Sequence, residues 1–350
     1  MSAARPSALI IAGGRGTRFW PESRVWRPKP LFSIDGRNSL LADTIARVAP
    51  LVGRPRTFVL VSADQRSIFR KALHGLIPPA NLIVEPSGRG TAVAIAYGCA
   101  TIAHRAGPGV IAVMPADHYI TPRVAFRRTL GEAIELAATR HAVVVIGVVP
   151  DRPEPGYGYQ EIGRPVGRGF EVVRFVEKPP LATARRMVGS GKFLWNAGMF
   201  VMDPATLASE LDKHAPDLAG AMREFAGARP AKVAHIYRGL DFDAFDRVVA
   251  EKSSNVLGVK ARFRWHDVGS WEGLWEALGE SNVLKGEVIA LDCEGVLARA
   301  GAERLMVLVG VKDLVAVDTG DALLIAGRKS SQDLRRVVDE LARRRLHRYL

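Results

Sequence analysis

The chain has 350 residues, 48% hydrophobic and 24% charged, enough to bury a large core and to divide into one large and one small domain. Its 49 lysines and arginines outweigh 36 acids, and the formal net charge of +13 favours an anionic partner: a nucleic acid, a membrane surface or a phosphorylated small molecule. No apolar run approaches the roughly 20 residues of a membrane span, and Cys99 and Cys293 have no second thiol or histidine at ligand spacing, so a membrane helix, a disulfide framework and a thiolate zinc site are excluded and the cytoplasm is the expected compartment.

Along the chain, short β-branched runs alternate with helical stretches. "ALIIA" (8 to 12), "TFVLVS" (57 to 62), "NLIVE" (81 to 85), "GVIAVMPAD" (109 to 117) and "AVVVIGVV" (142 to 149) read as buried strands. The intervening helices fall at 39 to 49, 64 to 74, 91 to 105 and 124 to 139, with Thr91 and Thr121 as candidate helix starts. Strands alternating with helices predict an α/β domain with a mostly parallel sheet. Ligands of such sheets bind at the carboxyl ends of the strands, the rim that carries the loop after Ala12, Glu85 and Asp117. Residues 150 to 270 are more irregular and read as strands and helices added to the same domain.

After about residue 283 the texture changes. Short strands broken by turn residues at intervals of roughly ten predict a β-solenoid or a small β-fold. The last segment is a helix whose stripe of Leu334, Val337, Val338 and Leu341 follows the 3.6 period. Its arginines (Arg335, Arg336, Arg343, Arg344, Arg345, Arg348) have no aromatic residues among them and read as a solvated face rather than a nucleic-acid site.

The segment "IIAGGRGTRFWPESRVWRPKPL" (10 to 31) sets three glycines and several cations directly behind the first strand. A glycine-rich turn after a strand lets backbone N–H groups converge on phosphate oxygens while nearby cations neutralise them. The P-loop pattern fails for want of a Lys-Ser/Thr pair after the last glycine, and the dinucleotide fingerprint fails because Phe19 stands where a third glycine belongs. An ordinary strand-to-helix turn accounts for the glycines and not for the cations.

"GGRGTRFWPESR" followed by "RPKPL" resembles the signature of the sugar-nucleotide pyrophosphorylases (nucleotidyltransferases), and its Trp-Pro-x-Ser-Arg tail is similar to the mannose-1-phosphate guanylyltransferase branch. Further similar segments follow in the family's order: "VEPSGRGTAVAI" (84 to 95), "MPADH" (114 to 118), "RPEPGYGYQEIG" (152 to 163), "FVEKP" (175 to 179), "FLWNAGMF" (193 to 200), "AEKS" (250 to 253) and "WHDVGSW" (265 to 271). The resemblance implies a Rossmann-like nucleotidyltransferase domain over residues 1 to 282 and a left-handed β-helix-like domain with a terminal helix over 283 to 350.

It also implies a reaction. A sugar 1-phosphate oxygen, that of mannose 1-phosphate in this branch, attacks the α-phosphorus of GTP in line, with Mg²⁺ as cofactor, and no enzyme nucleophile is needed. Gly13, Gly14, Gly16 and Thr17 would wrap the triphosphate, while Arg18 and Lys29 stabilise the departing pyrophosphate. Asp117 and Asp267 would be the Mg²⁺ ligands. Lys178 would hold the sugar phosphate, Glu177 and Asn196 would bond sugar hydroxyls, Gly158 would bring backbone close to the sugar, and Glu85 and Thr91 would contact the nucleoside. For Glu177 and Lys178 without the resemblance, a surface ion pair is the simpler reading, and for Glu85 and Thr91 a buried helix-capping pair. His118 and His266 adjoin the expected ligands and read as neighbours of the site.

The chain departs from the branch at Pro30, where glutamine is usual, at Gly90 and Val93, and at Arg247, Val248 and Ala250 within "FDRVVAEKS". Another sugar 1-phosphate or nucleotide as substrate, a catalytically silent sugar-nucleotide binder and a basic RNA-associated protein are the alternative readings. No nucleic-acid motif appears, and the four charged residues Lys29, Asp117, Lys178 and Asp267 argue against a silent binder. A homodimer is expected from the apolar helix stripe and open strand edges of the tail. Longer relatives add an isomerase domain that is not expected here.

Overall fold

The computed structural model describes residues 5–13 and 16–350. Its largest feature is a nine-stranded sheet in the order Leu82–Glu85, Thr57–Ser62, Ser7–Ile11, Ile111–Pro115, Phe193–Met202, Val143–Val148, Val256–Lys260, Gly169–Val176, Tyr159–Val166. Phe193–Met202 and Gly169–Val176 run against the other strands, so the sheet is mostly parallel, as the alternation of runs predicts. The expected strands all form, each within one or two residues of its quoted run.

These strands are near-continuously apolar because parallel strands are covered on both faces. Ala8, Leu9 and Ile10 are fully buried, as are Val143 to Ile146. Helix Thr91–Ala106 packs into the same core through its small residues, with Ala92, Val93, Ile95 and Ala96 all buried. Within the irregular stretch, helices Pro204–His214, Pro216–Phe225 and Pro230–Arg238 each start on proline, whose fixed φ and missing N–H suit the first helical position. Asp203 caps the first of them by accepting from Thr206 N–H at 2.8 Å.

One expected helix start is corrected. Thr121 ends the strand Tyr119–Thr121, and the helix runs from Arg123 to Arg140. The reason is Pro122, which disfavours helical geometry in the residue before it. Similarly, the stretch from residue 64 opens with a 3-10 turn, Ala63–Gln65, before the helix Arg66–Ala72.

The tail is a β-helix-like stack. Val283–Lys285, Leu297–Arg299 and Leu314–Asp318 pair in parallel as successive rungs, and Leu323–Gly327 closes the sheet antiparallel. A second parallel pair, Val288–Leu291 with Met306–Val309, keeps Ile289 level with Val307 and Leu291 level with Val309. Helix Leu334–Arg343 follows, with Leu334, Val337, Val338 and Leu341 on its packed side, as its periodicity predicts. Among the described residues no helix is long and apolar enough to cross a membrane.

The chain divides into two compact units, each drawn from several stretches of the sequence. One unit holds the chain up to Gly13, Thr44–Ala116 and Ile120–Arg264, and therefore the large sheet. The other joins the stretch ending at Asp43, Asp117–Tyr119 and Trp265–Leu350. Its core explains the grouping: Phe19 and Phe32 pack on Trp271 with ring centroids 5.0 and 5.7 Å away, in one cluster with Leu297, Val315, Val317 and Leu334. Arg299, buried beneath, donates to the carbonyls of Ser33 and Ile34 at 3.0 Å each.

The β-helix rungs therefore share one core with Phe19, Trp20 and Phe32, which follow the glycine-rich turn. Leu297 is fully buried in that core, and Leu297→Ala is expected to lower stability by about 2–5 kcal/mol. Chemical denaturation followed by circular dichroism checks it; an unchanged midpoint would mean that the rung and the loop do not share a core.

Candidate active site

Within the smaller unit the expected metal ligands Asp117 and Asp267 meet at one ammonium. Lys29, only 8% exposed, sits in a short 3-10 turn, Lys29–Leu31. Its Nζ lies 2.7 Å from Asp117 Oδ2 and donates to the backbone carbonyl of Asp267 at 3.1 Å. Phe19 presents its ring 5.6 Å from the same nitrogen, a cation–π contact on the apolar side. Burial alone would raise the Asp117 carboxyl, yet the Lys29 ammonium holds it below the usual carboxylate range and His118 adds to the effect.

Gly16 shows why this loop needs glycine. Its φ is +60°, and a Cβ there would strike the side chain of Lys29 and lie 2.9 Å from Ser23 Oγ. The turn Thr17–Phe19 follows at once, leaving Arg18 exposed and Phe19 buried. A methyl added at Gly269 would sit 3.2 Å from Asp267 Oδ2 and 3.6 Å from both terminal nitrogens of Arg18, so the Arg18 guanidinium and the Asp267 carboxylate line the same small space. Gly13 is exposed at the end of the first strand, and Gly14 lies outside the described residues.

The two histidines have structural partners. Trp265 donates its indole N–H to His118 Nδ1 at 3.0 Å, and His266 Nδ1 accepts from Val268 N–H at 3.2 Å. Among the described residues no third His, Cys, Asp or Glu gathers with Asp117 and Asp267 into a metal cluster. The two carboxylates are hard oxygen donors, the chemistry that would suit a divalent cation.

The expected sugar-side residues form a second cluster, in the larger unit. Gly158 permits it: a Cβ there would lie 2.7 Å from Glu177 Oε2 and 3.4 Å from Asn196 Cβ, and its carbonyl accepts from Asn196 N–H at 2.7 Å. Lys178 and Glu177 make the ion pair that adjacency suggests, at 2.9 Å, with the Lys178 side chain half exposed and that of Glu177 nearly buried. Lys178 holds a left-handed backbone with φ of +49°, uncommon for a residue with a Cβ and concentrated at functional sites.

Asn196 turns its amide inward, donating through Nδ2 to Asp246 Oδ1 at 2.8 Å. Glu251 accepts from Glu177 N–H at 3.0 Å. Asp246 and Glu251 were not singled out from the sequence. The signal available was the similar segment "AEKS" that holds Glu251, next to a stretch that departs from the branch; an acid in a short helical run otherwise reads as solvated. Burial, and secondarily the Glu177 carboxylate, push Asp246 up to about 6.

Glu85 ends its strand buried, and burial pushes it up to about 7, with Asp64 adding to the rise and the Tyr237 phenol opposing it. Thr91 opens its helix without capping it: its hydroxyl accepts from Phe245 N–H at 2.9 Å, and the N-cap position is Gly90.

Comparisons with known proteins agree with this architecture. The family described as Nucleotidyl transferase matches residues 7–282, and the MannoseP isomerase/GMP-like beta-helix domain matches residues 286–341. A mannose-1-phosphate guanylyltransferase of Escherichia coli (strain K12) is 37% identical over 97% of this chain and 74% of its own length. The xanthan biosynthesis protein XanB of Xanthomonas campestris is 36% identical over 95% of this chain and 72% of its own. A crystal structure from Thermus thermophilus, described as a mannose-1-phosphate geranyltransferase, superposes with a TM-score of 0.87 at 35% identity, over 97% of this chain and 99% of that one. With the sheet, the β-helix rungs and the quoted segments in place, the chain belongs to the mannose-1-phosphate guanylyltransferase family and is a nucleotidyltransferase.

Proposed function

We propose that the chain transfers GMP from GTP to α-D-mannose 1-phosphate, giving GDP-mannose and pyrophosphate. The observation that carries this reading is the buried Lys29 ammonium bonded to Asp117 and to the Asp267 carbonyl behind a glycine-rich turn, in a chain whose relatives are named for this reaction. A phosphate oxygen of the sugar forms the new bond to the α-phosphorus as the bond to the bridging oxygen breaks, and that electron pair leaves with pyrophosphate. The protein forms no covalent bond, so its residues bind, align and neutralise.

In this reading Gly13, Gly14, Gly16 and Thr17 offer backbone N–H groups to the triphosphate, while Arg18 and Lys29 stabilise charge as it gathers on pyrophosphate. Asp117 and Asp267 would hold Mg²⁺, which when bound supplies further neutralisation of the phosphate oxygens. Lys178 meets the sugar phosphate. Gly158, Glu177 and Asn196 form the sugar end, and Glu85 and Thr91 contact the nucleoside. Both substrates are soluble phosphates, and the reading assigns the reaction to the cytoplasm. Pyrophosphate release from GTP with mannose 1-phosphate and Mg²⁺, set beside other nucleoside triphosphates and glucose 1-phosphate, tests it; faster turnover of another pair would replace these substrates.

We also propose a homodimer covered through the tail. Ile289, Leu291, Val307 and Val309 stand level in pairs on the outer strands and are all exposed, a flat apolar strip of the kind that a second subunit covers. Val307→Lys is expected to halve the mass per particle in sedimentation while leaving the fold intact. A monomeric unaltered chain would dispose of the dimer.

The two aspartates give the mechanistic prediction. Asp117→Asn and Asp267→Asn should each lower kcat by about 10²-fold or more while weakening substrate binding less, because the lost charge matters most as pyrophosphate departs. If both hold one ion, the double variant should lose far less than the product of the single losses. Near-native turnover of Asp267→Asn, with unchanged Mg²⁺ dependence, would make Asp267 a structural carboxylate.

A further inference from the structure

The sugar-side cluster contains a carboxylate that the proposed reaction has not yet used. Asp246 opens a π-helical turn, Asp246–Ala250, closed by Glu251 N–H donating to the Asp246 carbonyl five residues back at 2.7 Å. Such wide turns are rare and occur frequently at functional sites. This one does two things at once: it sets the Asp246 carboxylate against Asn196, and it sets Glu251 to accept from Glu177 N–H.

Asn196 is then held by the protein through its backbone and its amide nitrogen. Its backbone N–H goes to Gly158 O, its Nδ2 goes to Asp246 Oδ1, and its Oδ1 is buried without a partner among the described residues. A buried oxygen with no accessible surface is poorly placed to meet a sugar hydroxyl. An ionised carboxylate, by contrast, has about four acceptor positions. One oxygen of Asp246 takes the Asn196 amide, and the residue keeps part of its surface exposed.

We propose that Asp246 is a further sugar-binding residue: its second carboxylate oxygen accepts a hydrogen bond from a hydroxyl of the hexose while Glu177 takes another, and Asn196 acts as the positioning residue that holds Asp246 in place. This rests on the reading of Gly158, Glu177 and Lys178 as the sugar-phosphate end. Burial displaces the Asp246 titration upward, and repulsion from the Glu177 carboxylate adds to it. A ligand bearing two hydroxyl donors relieves that repulsion, whereas a ligand lacking either leaves a desolvated acceptor unpaired. The substrate class selected is a polyhydroxy sugar with hydroxyls spaced to meet both carboxylates.

The test couples residue to hydroxyl. Steady-state kcat and KM are measured on the full chain with mannose 1-phosphate and each of its monodeoxy analogues, for the unaltered enzyme, Asp246→Asn and Asn196→Ala. In the unaltered enzyme, removing the hydroxyl that meets Asp246 should lower kcat/KM by about tenfold or more, the worth of a hydrogen bond to a charged acceptor. Asp246→Asn should lose a similar factor on mannose 1-phosphate and show no further loss with that one analogue, while its KM for GTP stays within about twofold. Asn196→Ala should weaken the same coupling.

Equal losses of Asp246→Asn across all analogues, or no loss at all, would overturn the assignment while leaving the reaction standing. If Asp246→Asn fails to fold, the unaltered enzyme decides: indifference to every monodeoxy analogue overturns the proposal. No turnover of mannose 1-phosphate by the unaltered enzyme removes the proposed function and this assignment together.

Discussion

The candidate phosphate site depends on one buried ammonium. Lys29 is placed by a loop near the start of the chain, Asp117 follows the strand Ile111–Pro115, and Asp267 arrives from far downstream, yet a single nitrogen bonds to both aspartates. A buried charge without partners is strongly disfavoured, so Lys29 imposes a condition on three distant segments. The aromatic packing of Phe19, Phe32 and Trp271 is the scaffold that meets it. Gly16 meets it from the other side by leaving room for the lysine stem.

The sugar-side cluster works on a different principle. There the residues are held by backbone approach rather than by a central charge. Gly158 lets Glu177 and Asn196 close in, Lys178 takes a left-handed backbone, and the π-turn at Asp246 sets two carboxylates in position. At Lys178 a backbone geometry unfavourable in itself coincides with proposed ligand chemistry, as happens when a surrounding fold over-determines a site.

Much of the fold was legible in the sequence because it is written in local periodicity. The β-branched runs specified the strands to within a residue or two, and the turn-punctuated tail announced stacked short strands. Pro122 was the local signal that should have moved the helix start from Thr121 to Arg123. The individual site residues Lys29, Asp117 and Asp267 were legible as motif members, but their meeting at one nitrogen was not, since no spacing rule connects residues some 238 positions apart. Asp246 and Glu251 escaped for a related reason: their roles come from a wide helical turn and from partners at Asn196 and Glu177, which hydrophobic pattern does not encode. Nor could composition show that the glycine-rich segment shares its core with the β-helix rungs.

That shared core bears on how the protein is made. The segment ending at Asp43 is synthesised well before the Trp265–Leu350 stretch that completes its unit. Contacts of such sequence separation are slow to form, and the chain emerges from its N-terminus at a few residues per second or faster. The N-terminal strands of the large sheet therefore emerge while Phe19 and Phe32 have not yet met their packing partners. Phe19 and Phe32 then lack Trp271 and the β-helix rungs until those residues have emerged, and the candidate site at Lys29 is completed only after Asp267 has joined it.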